Sequence, residues 1–506
     1  MQRLLAVGLA ATVAVLVGMT VGSRSDAADA LPVAVAACPA RSDAAVVGGK
    51  RVCLKVGLPC QVKYQALYRG RGYVCGASKK LGLLVCTGGT VYAVIGGVHG
   101  CIKRGQNCVA KFQAQYAKFG LDCDNGRLVK PNPQVKVSGP EEVVYDDAHA
   151  CPGAAFDEAD GGVRAFRDAS GQVQMVMPSI GSNRRMIGPD LDHLSHDCTV
   201  TLDSNQNPDP SAYDNGNGLA SVYSPDGTTV YGLTHMEYLG GLFPGMCPFG
   251  PAWTPEFLRC WWNSMTLVVS TDGGRSYHRA PQRNGLVGQI PYRYDPSGIG
   301  LEGMALGGIT QIVRNPADGY YYTISGDVIA PRNGEQAKYY NCLMRTKDLA
   351  NPTSWRGWDG NGFTITFVDP YREPTDPVSA HVCEPLDIPG QSNNLALSWN
   401  TFLKRWLIVY QNPGGGYWFT TSPDLTDWST PKEFLDRSNI WNVKCGEPTD
   451  VVYTSLIDPT STSRNFETTG QHPYFYYSVG QLTWPTCAAY KQISARLVRV
   501  PITITK

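Results

Sequence analysis

The sequence predicts an all-β protein: a five-bladed β-propeller preceded by a small disulfide-rich duplicated module. Two observations carry this. Eight of the 16 cysteines form a spacing pattern that occurs twice near the N-terminus, and beyond about residue 141 the chain falls into five similar segments of strand, tight turn and strand. Composition agrees, since 26 Tyr, 14 Phe and 11 Trp accompany 55 Gly and 35 Pro, the mixture expected of short strands joined by many turns.

The chain opens on Met1-Gln2-Arg3, a short positive start, followed by an almost wholly apolar run from Leu4 to Val21 and a polar, small-residue stretch to Ala30. That layout predicts a secretory signal peptide over 1–30, with Ala28-Asp29-Ala30 as its cleavage site. A retained membrane anchor is the alternative, but the run is rich in Ala, Gly and Val and only marginally hydrophobic. Sixteen cysteines without a CxxC pair suit an oxidising compartment and disulfides rather than metal. Val35-Ala36-Ala37-Cys38 resembles a lipid-attachment box, but it lies well beyond the apolar run and Cys38 is needed by the cysteine repeat. The formal net charge of +1 excludes a chain-wide electrostatic footprint for nucleic acid or anionic membrane.

The first cysteines stand at 38, 53, 60 and 75 and again at 86, 101, 108 and 123, a period of 48. Residues between them repeat too: Ala45-Val46, Gly48-Gly49, Lys55, Gly57, Gln65-Ala66 and Tyr68 recur as Ala93-Val94, Gly96-Gly97, Lys103, Gly105, Gln113-Ala114 and Tyr116. Such self-similarity marks a duplication over 38–128. Within each unit, a β-like run ending in Gly-Gly predicts a hairpin. Cys60, Tyr64 and Tyr68, like Cys108, Phe112 and Tyr116, share one face of a two-turn helix. A unit this small buries little apolar surface, so disulfides compensate. The module resembles small cysteine-rich repeats of exported bacterial proteins, and its surplus Lys and Arg suit attachment to a cell wall or polysaccharide. Residues 129–140, with three prolines, read as a linker.

From 141 to 506 the blades follow. Blade one runs Val163–Phe166, turns at Asp168–Gly171 and returns through Val173–Val176. Blade two runs Leu219–Tyr223, turns at Ser224–Gly227 and returns through Val230–Tyr238. Blade three runs Ile309–Arg314, turns at Asn315–Gly319 and returns through Tyr320–Ser325. Blade four runs Asn394–Trp399 and returns through Trp406–Tyr410, and blade five runs Asp450–Leu456 and returns through Tyr474–Ser478. Radial repetition avoids long open sheet edges; a two-sheet sandwich is the structural alternative. The final strand, Ile493–Val500, would take Glu142–Tyr145 as its partner and close the ring.

Ser270-Thr271-Asp272-Gly273-Gly274-Arg275-Ser276-Tyr277 resembles the Asp-box of sialidase-type propellers. Ser422-Pro423-Asp424-Leu425-Thr426-Asp427-Trp428 is similar to a turn of five-bladed furanosidase- and arabinanase-type glycoside hydrolases, and Arg345–Leu349 with Trp355 is a looser version. The resemblance implies architecture and, more loosely, carbohydrate chemistry. Strands of a blade alternate direction, so the Asp-Gly turns share one face, where Asp168, Asp226, Asp272, Asp318 and Asp424 are expected to shape turns. The opposite face gathers the loops entering each first strand and those following each second strand, and by analogy it holds the substrate.

On that face lie Glu302 before blade three, Glu384 before blade four and Glu447 before blade five. Thr234-His235-Met236-Glu237-Tyr238 ends blade two's second strand, with His235 and Glu237 on one side of it. Glycosidic cleavage needs one protonated and one ionised carboxyl group. Glu302 is assigned as general acid and Glu237 as its carboxylate counterpart, with Glu384 and Glu447 as rivals. His235, Arg184, Arg185 and Asp327 would position substrate, beside Asn183. Trp261 and Trp262 would stack on sugar rings, one of them being core. The loop 239–259, tied by Cys247 and Cys260, would form a wall. The expected function is a secreted glycoside hydrolase acting on a polysaccharide or oligosaccharide as a monomer, without nucleic acid; a non-catalytic glycan-binding propeller or a structural cell-surface protein are the alternatives. The sequence requires no cofactor, and a structural calcium ion at the centre is compatible with it. No serine-hydrolase elbow, HExxH pair or phosphate loop occurs.

Overall fold

The computed structural model describes Cys38 and residues 43–154, 157, 159–250, 257–295, 306–330, 338–386, 388, 395–437, 449–482 and 492–506. The expected leader, Glu302, Glu447, Cys445 and Cys487 lie outside these. The chain divides into two compact units. One ends at Cys86 and takes in Val98–Gly100; the other comprises Thr87–Gly97 and everything from Cys101 onward.

The first unit is the first cysteine-rich repeat. Asp43–Val47 pairs antiparallel with Lys50–Leu54, and Tyr73–Cys75 with Leu81–Leu83. Between them a 3-10 turn at Val62–Tyr64 runs into the helix Gln65–Arg69. Disulfides join Cys38 to Cys53 and Cys60 to Cys75. Tyr64 and Tyr68 pack edge to face with centroids 6.4 Å apart, and with Leu54, Cys60 and Tyr73 they make a small core. The repeated Gly-Gly has a steric cause. Gly48 and Gly96 hold φ of 58° and 59°, and a Cβ would overlap the Tyr64 hydroxyl in one and the Phe112 ring in the other. The second repeat shows the same helix, Gln113–Ala117, and the Cys108–Cys123 bridge; Cys86 and Cys101 are also disulfide-bonded.

The larger unit carries five blades. Blade one is a four-stranded antiparallel sheet, Arg164–Arg167, Val173–Met177, Ser182–Gly188 and Ser195–Asp203. Blade two comprises Gly216–Tyr223, Val230–Leu239, Trp261–Ser270 and His278–Arg279, with Leu286–Gly288 beside its third strand. Blade three runs Val313–Arg314, Tyr321–Ala330, Lys338–Thr346, Arg356–Gly357 and Ile365–Thr366. Blade four runs Ala396–Asn400, Arg405–Gln411, Tyr417–Ser422 and Lys432–Leu435. Blade five, Thr449–Ile457, Tyr474–Leu482 and Gln492–Thr505, takes its fourth strand from Glu142–Asp146, so the two ends of the domain share a sheet as expected. Within 129–140, Gln134–Val137 is also a strand, paired with Ile502–Thr505.

First strands meet around the axis. Arg164 of blade one donates to Thr454 O and Ser455 Oγ of blade five and to Ile309 O before blade three. The Ser221 hydroxyl of blade two accepts from Ile312 N, and Gln311 bonds the Leu397 backbone of blade four. Among the described residues these side chains pack closely at the axis, with a cavity of about 10 Å³ lined by Arg164, Val222, Gln311, Leu456 and Asn465. Burial pushes the Arg164 guanidinium down to about 9. On the turn face, the long connection of blade five crosses the opening. Its Arg464 donates to Arg167 O and Asp168 O, Asn465 exchanges hydrogen bonds with the Ser224 backbone, and Thr468–Thr469 lies parallel to Ala396–Asn400.

The turn aspartates all hold backbone amides. Asp272 accepts from Arg275 N, Ser276 N and the Ser270 and Ser276 hydroxyls. Burial pushes its carboxyl up, but the Ser276 and Ser270 bonds and the backbone amides outweigh burial and hold it down at about 2. Asp168, Asp226, Asp318 and Asp424 do equivalent work in their turns.

Candidate functional site

Glu237 and His235 sit one strand period apart near the end of Val230–Leu239, where their neighbours across the first strand are Gly216 and Gly218. Gly216 has a structural purpose. A Cβ on Gly216 would meet Ile180 O at 3.2 Å, so its absence lets the 179–180 turn of blade one pack against blade two. The same turn begins at Pro178, whose carbonyl accepts from Asp160 N at 2.7 Å. Two blades thereby bring a carboxyl each within electrostatic reach of the other: Asp160, on the loop entering blade one, and Glu237.

Glu237 is buried, 8% exposed, and Asp160 is half-buried. Burial pushes the Glu237 carboxyl well above the usual range, the negative charge of Asp160 pushes it further, and a hydrogen bond from Trp261 opposes this. Burial likewise raises Asp160, against a 2.5 Å hydrogen bond from the Tyr453 hydroxyl on blade five. Two coupled carboxyls do not both ionise readily, so one proton is retained. Glu237, the more deeply buried, holds it more tightly.

His235 Nδ1 lies 3.5 Å from Glu237 Oε1, and burial pushes the imidazole down to about 4. It is therefore neutral at ordinary pH and fixes the position of Glu237 without adding a positive charge. Its Nε2 faces Gly307, where a Cβ would stand 2.8 Å away. Asn263, opposite Glu237 on the third strand, is fully buried, and its side-chain amide finds no hydrogen-bond partner among the described residues.

The Asp160 loop is braced from outside. Cys151 is bridged to Cys198, and Asp157 accepts from the Cys151 amide and from Tyr145 Oη at 3.3 Å and pairs with Arg184 at 3.2 Å. Cys151, His196 and Cys198 offer atoms within 4.8 Å of one another, but joined sulfurs are not thiolates and make poor metal ligands.

The other sequence-predicted residues are dispersed. Arg184 is engaged by Asp157, and Arg185, on the other side of the strand, pairs with Asp197 at 2.8 Å and donates to Gly274 O. Asn183 is buried and bonds Leu202 O and Asn217 O. Trp262 is core, packed on Tyr294, whereas Trp261 reaches Glu237. Glu384, next to the Cys342–Cys383 bridge, donates its amide to Trp358 O and packs against Gly360 at the rim of blade three. Asp327 lies at a bulge in Tyr321–Ala330, where the adjoining Gly326 N bonds Gly307 O and Gly308 O. Cys247 is bridged to Cys260.

No protein-family model matches the chain, and no curated protein matches it. Several solved structures that it resembles are propeller glycoside hydrolases. A family 117 glycoside hydrolase of the marine bacterium Zobellia galactanivorans is 9% identical, with 74% of this chain and 90% of that one covered at a TM-score of 0.39. An N-acetylgalactosamine deacetylase from F. plautii is 12% identical, with 73% and 95% covered at 0.39. A thermostable family-43 glycoside hydrolase is 10% identical, with 68% and 92% covered at 0.34. Likeness at this level assigns no residue. Asp160 and Tyr453, which the sequence reading missed, come from the geometry alone. The one signal the sequence offered for Asp160 was its place on the loop entering blade one, four residues before Arg164.

Proposed function

We propose that the protein is an exported glycoside hydrolase acting on a polysaccharide, with Glu237 as general acid and Asp160 as carboxylate base or nucleophile. One observation carries the reading. Two carboxyls from different blades, Glu237 buried and Asp160 half-buried, act on one another electrostatically, which favours one proton on the pair, and Asp160 accepts a hydrogen bond from the Tyr453 hydroxyl. This is the electrostatic requirement of glycosidic cleavage. His235 and Trp261 fix Glu237. Glu302, five residues before Gly307 in sequence, remains the candidate for a third carboxyl, and Glu447 and Asp327 are candidates for substrate contact.

Export rests on the leader at 1–30 and on the disulfides. Among the described residues, no helix is long and apolar enough to cross a membrane. We read the Asp272 turn as an Asp-box with Tyr277 in place of the usual Trp, a reading that its hydrogen bonds support. The test is incubation of the mature protein with plant, fungal and bacterial polysaccharides, reading released oligosaccharides by mass. Release from one glycan, abolished in Glu237→Gln and Asp160→Asn without loss of folding, is the expected result. Full release by both variants would reject the assignment.

A further inference from the structure

The overall charge of +1 hides a division. Between Cys38 and Lys130 the chain has 15 Lys and Arg against three Asp, a net charge of +12, which leaves 29 Lys and Arg against 40 Asp and Glu elsewhere. The 14 of these cations that are described, all but Arg41, are every one exposed. The few acids are partly spent, as Asp43 accepts from Tyr73 Oη and Asp122 pairs with Arg405 at 2.8 Å. Such a density of like charge is unfavourable to a small fold unless something outside it is gained.

The cations also obey the duplication. Lys55, Lys63 and Lys79 recur one period later as Lys103, Lys111 and Arg127. Lys63 Nζ lies 5.0 Å from the Tyr64 ring centroid, and Lys111 Nζ lies 5.0 Å from that of Phe112. Each repeat therefore presents these three cations at matching positions on a frame locked by disulfides, so little ordering is lost on binding. Two copies of one cationic surface suit a ligand that itself repeats, because the second engagement becomes intramolecular.

We infer that the cysteine-rich module binds an acidic polysaccharide, holding the chain on a polyanionic glycan through Lys55, Lys63, Lys79 and their counterparts Lys103, Lys111 and Arg127. The choice of a glycan rests on the proposed polysaccharide chemistry of the propeller; the choice of negative charge rests on the module alone. Neither helix is an amphipathic membrane helix, since Gln65–Arg69 and Gln113–Ala117 are five residues each and turn Tyr68, Tyr116 and Ala117 inward.

The experiment measures affinity of the full mature chain for polygalacturonate, for dextran sulfate and for fully methyl-esterified polygalacturonate at rising NaCl. Binding to at least one polyanion is expected, falling steeply with salt as counterions compete, with none to the ester. The variant K55E/K63E/K103E/K111E should bind at least about tenfold more weakly. Glu237→Gln should bind as wild type does, which separates this inference from the hydrolase reading. Unchanged affinity in the charge-reversed variant, equal binding to the ester, failure on both polyanions, or capture only by phosphatidylglycerol vesicles would each overturn it.

Discussion

At the scale of single residues, pH acts on the site in opposite senses. His235 has a folded-state pKa of about 4, below the unfolded value of about 6.5. A lowered histidine favours the neutral form, so its contribution is present above the unfolded value and is lost as pH falls from about 6.5 toward 4. Chemical denaturation across that window should show wild type losing up to about 3 kcal/mol more than His235→Gln. Glu237 runs the other way. Its raised pKa means that stability present at low pH is lost as pH rises through the folded value. Glu237→Gln should therefore melt at or above the wild-type temperature in alkaline buffer while turnover is abolished. Glu237 and His235 were legible in the sequence because a strand has period two and they end one. Asp160 was not, because Ala159-Asp160-Gly161-Gly162 carries no motif, and its partner Tyr453 is nearly 300 positions away. Only the approach of the 178–180 turn to Gly216 joins them.

At the scale of elements, the turns were the clearest signal. An Asp or Asn with nearby Gly forms a loop from its own side chain, and each predicted Asp does so. Asp272 lies beyond Ser270, seven strand residues from Asn263 opposite Glu237, a separation of about 23 Å. Asp272→Ala should cost about 2 kcal/mol in denaturant unfolding through orphaned amides and leave turnover unchanged. The Gly-Gly hairpins make a second case. Gly96→Ala places a methyl group on the Phe112 ring at a left-handed φ of 59°, which should lower the melting temperature by several degrees. What the sequence could not show was how isolated the arginines are. Arg184 and Arg185 look like substrate ligands, yet neighbouring aspartates on the loop entering blade one and on blade one's fourth strand engage both.

At the scale of the whole molecule, ring closure depends on chain segments that the sequence places far apart. Arg499 joins them: it bonds Glu142 at 2.8 Å and Asp192 at 2.7 Å and donates to Leu191 O. It thus ties the last strand, the closing strand and blade one. Arg499→Ala should lower stability by about 2 kcal/mol, seen as an earlier thermal midpoint of the propeller. The closing pair itself could be foreseen, since the last strand lacked a partner and 142–145 supplied an apolar run.

The measurement that tests the coupled pair most directly is an infrared titration of the carboxyl C=O stretch in wild type, Glu237→Gln and Asp160→Asn. Expected is a protonated Glu237 carboxyl persisting well above the ordinary glutamate range in wild type, its band lost from the difference spectrum in Glu237→Gln and titrating at lower pH in Asp160→Asn, where the neighbouring negative charge is gone. A spectrum with no such carboxyl, or one that Asp160→Asn leaves unmoved, would contradict the pairing of Asp160 with Glu237 and the acid–base chemistry built on it.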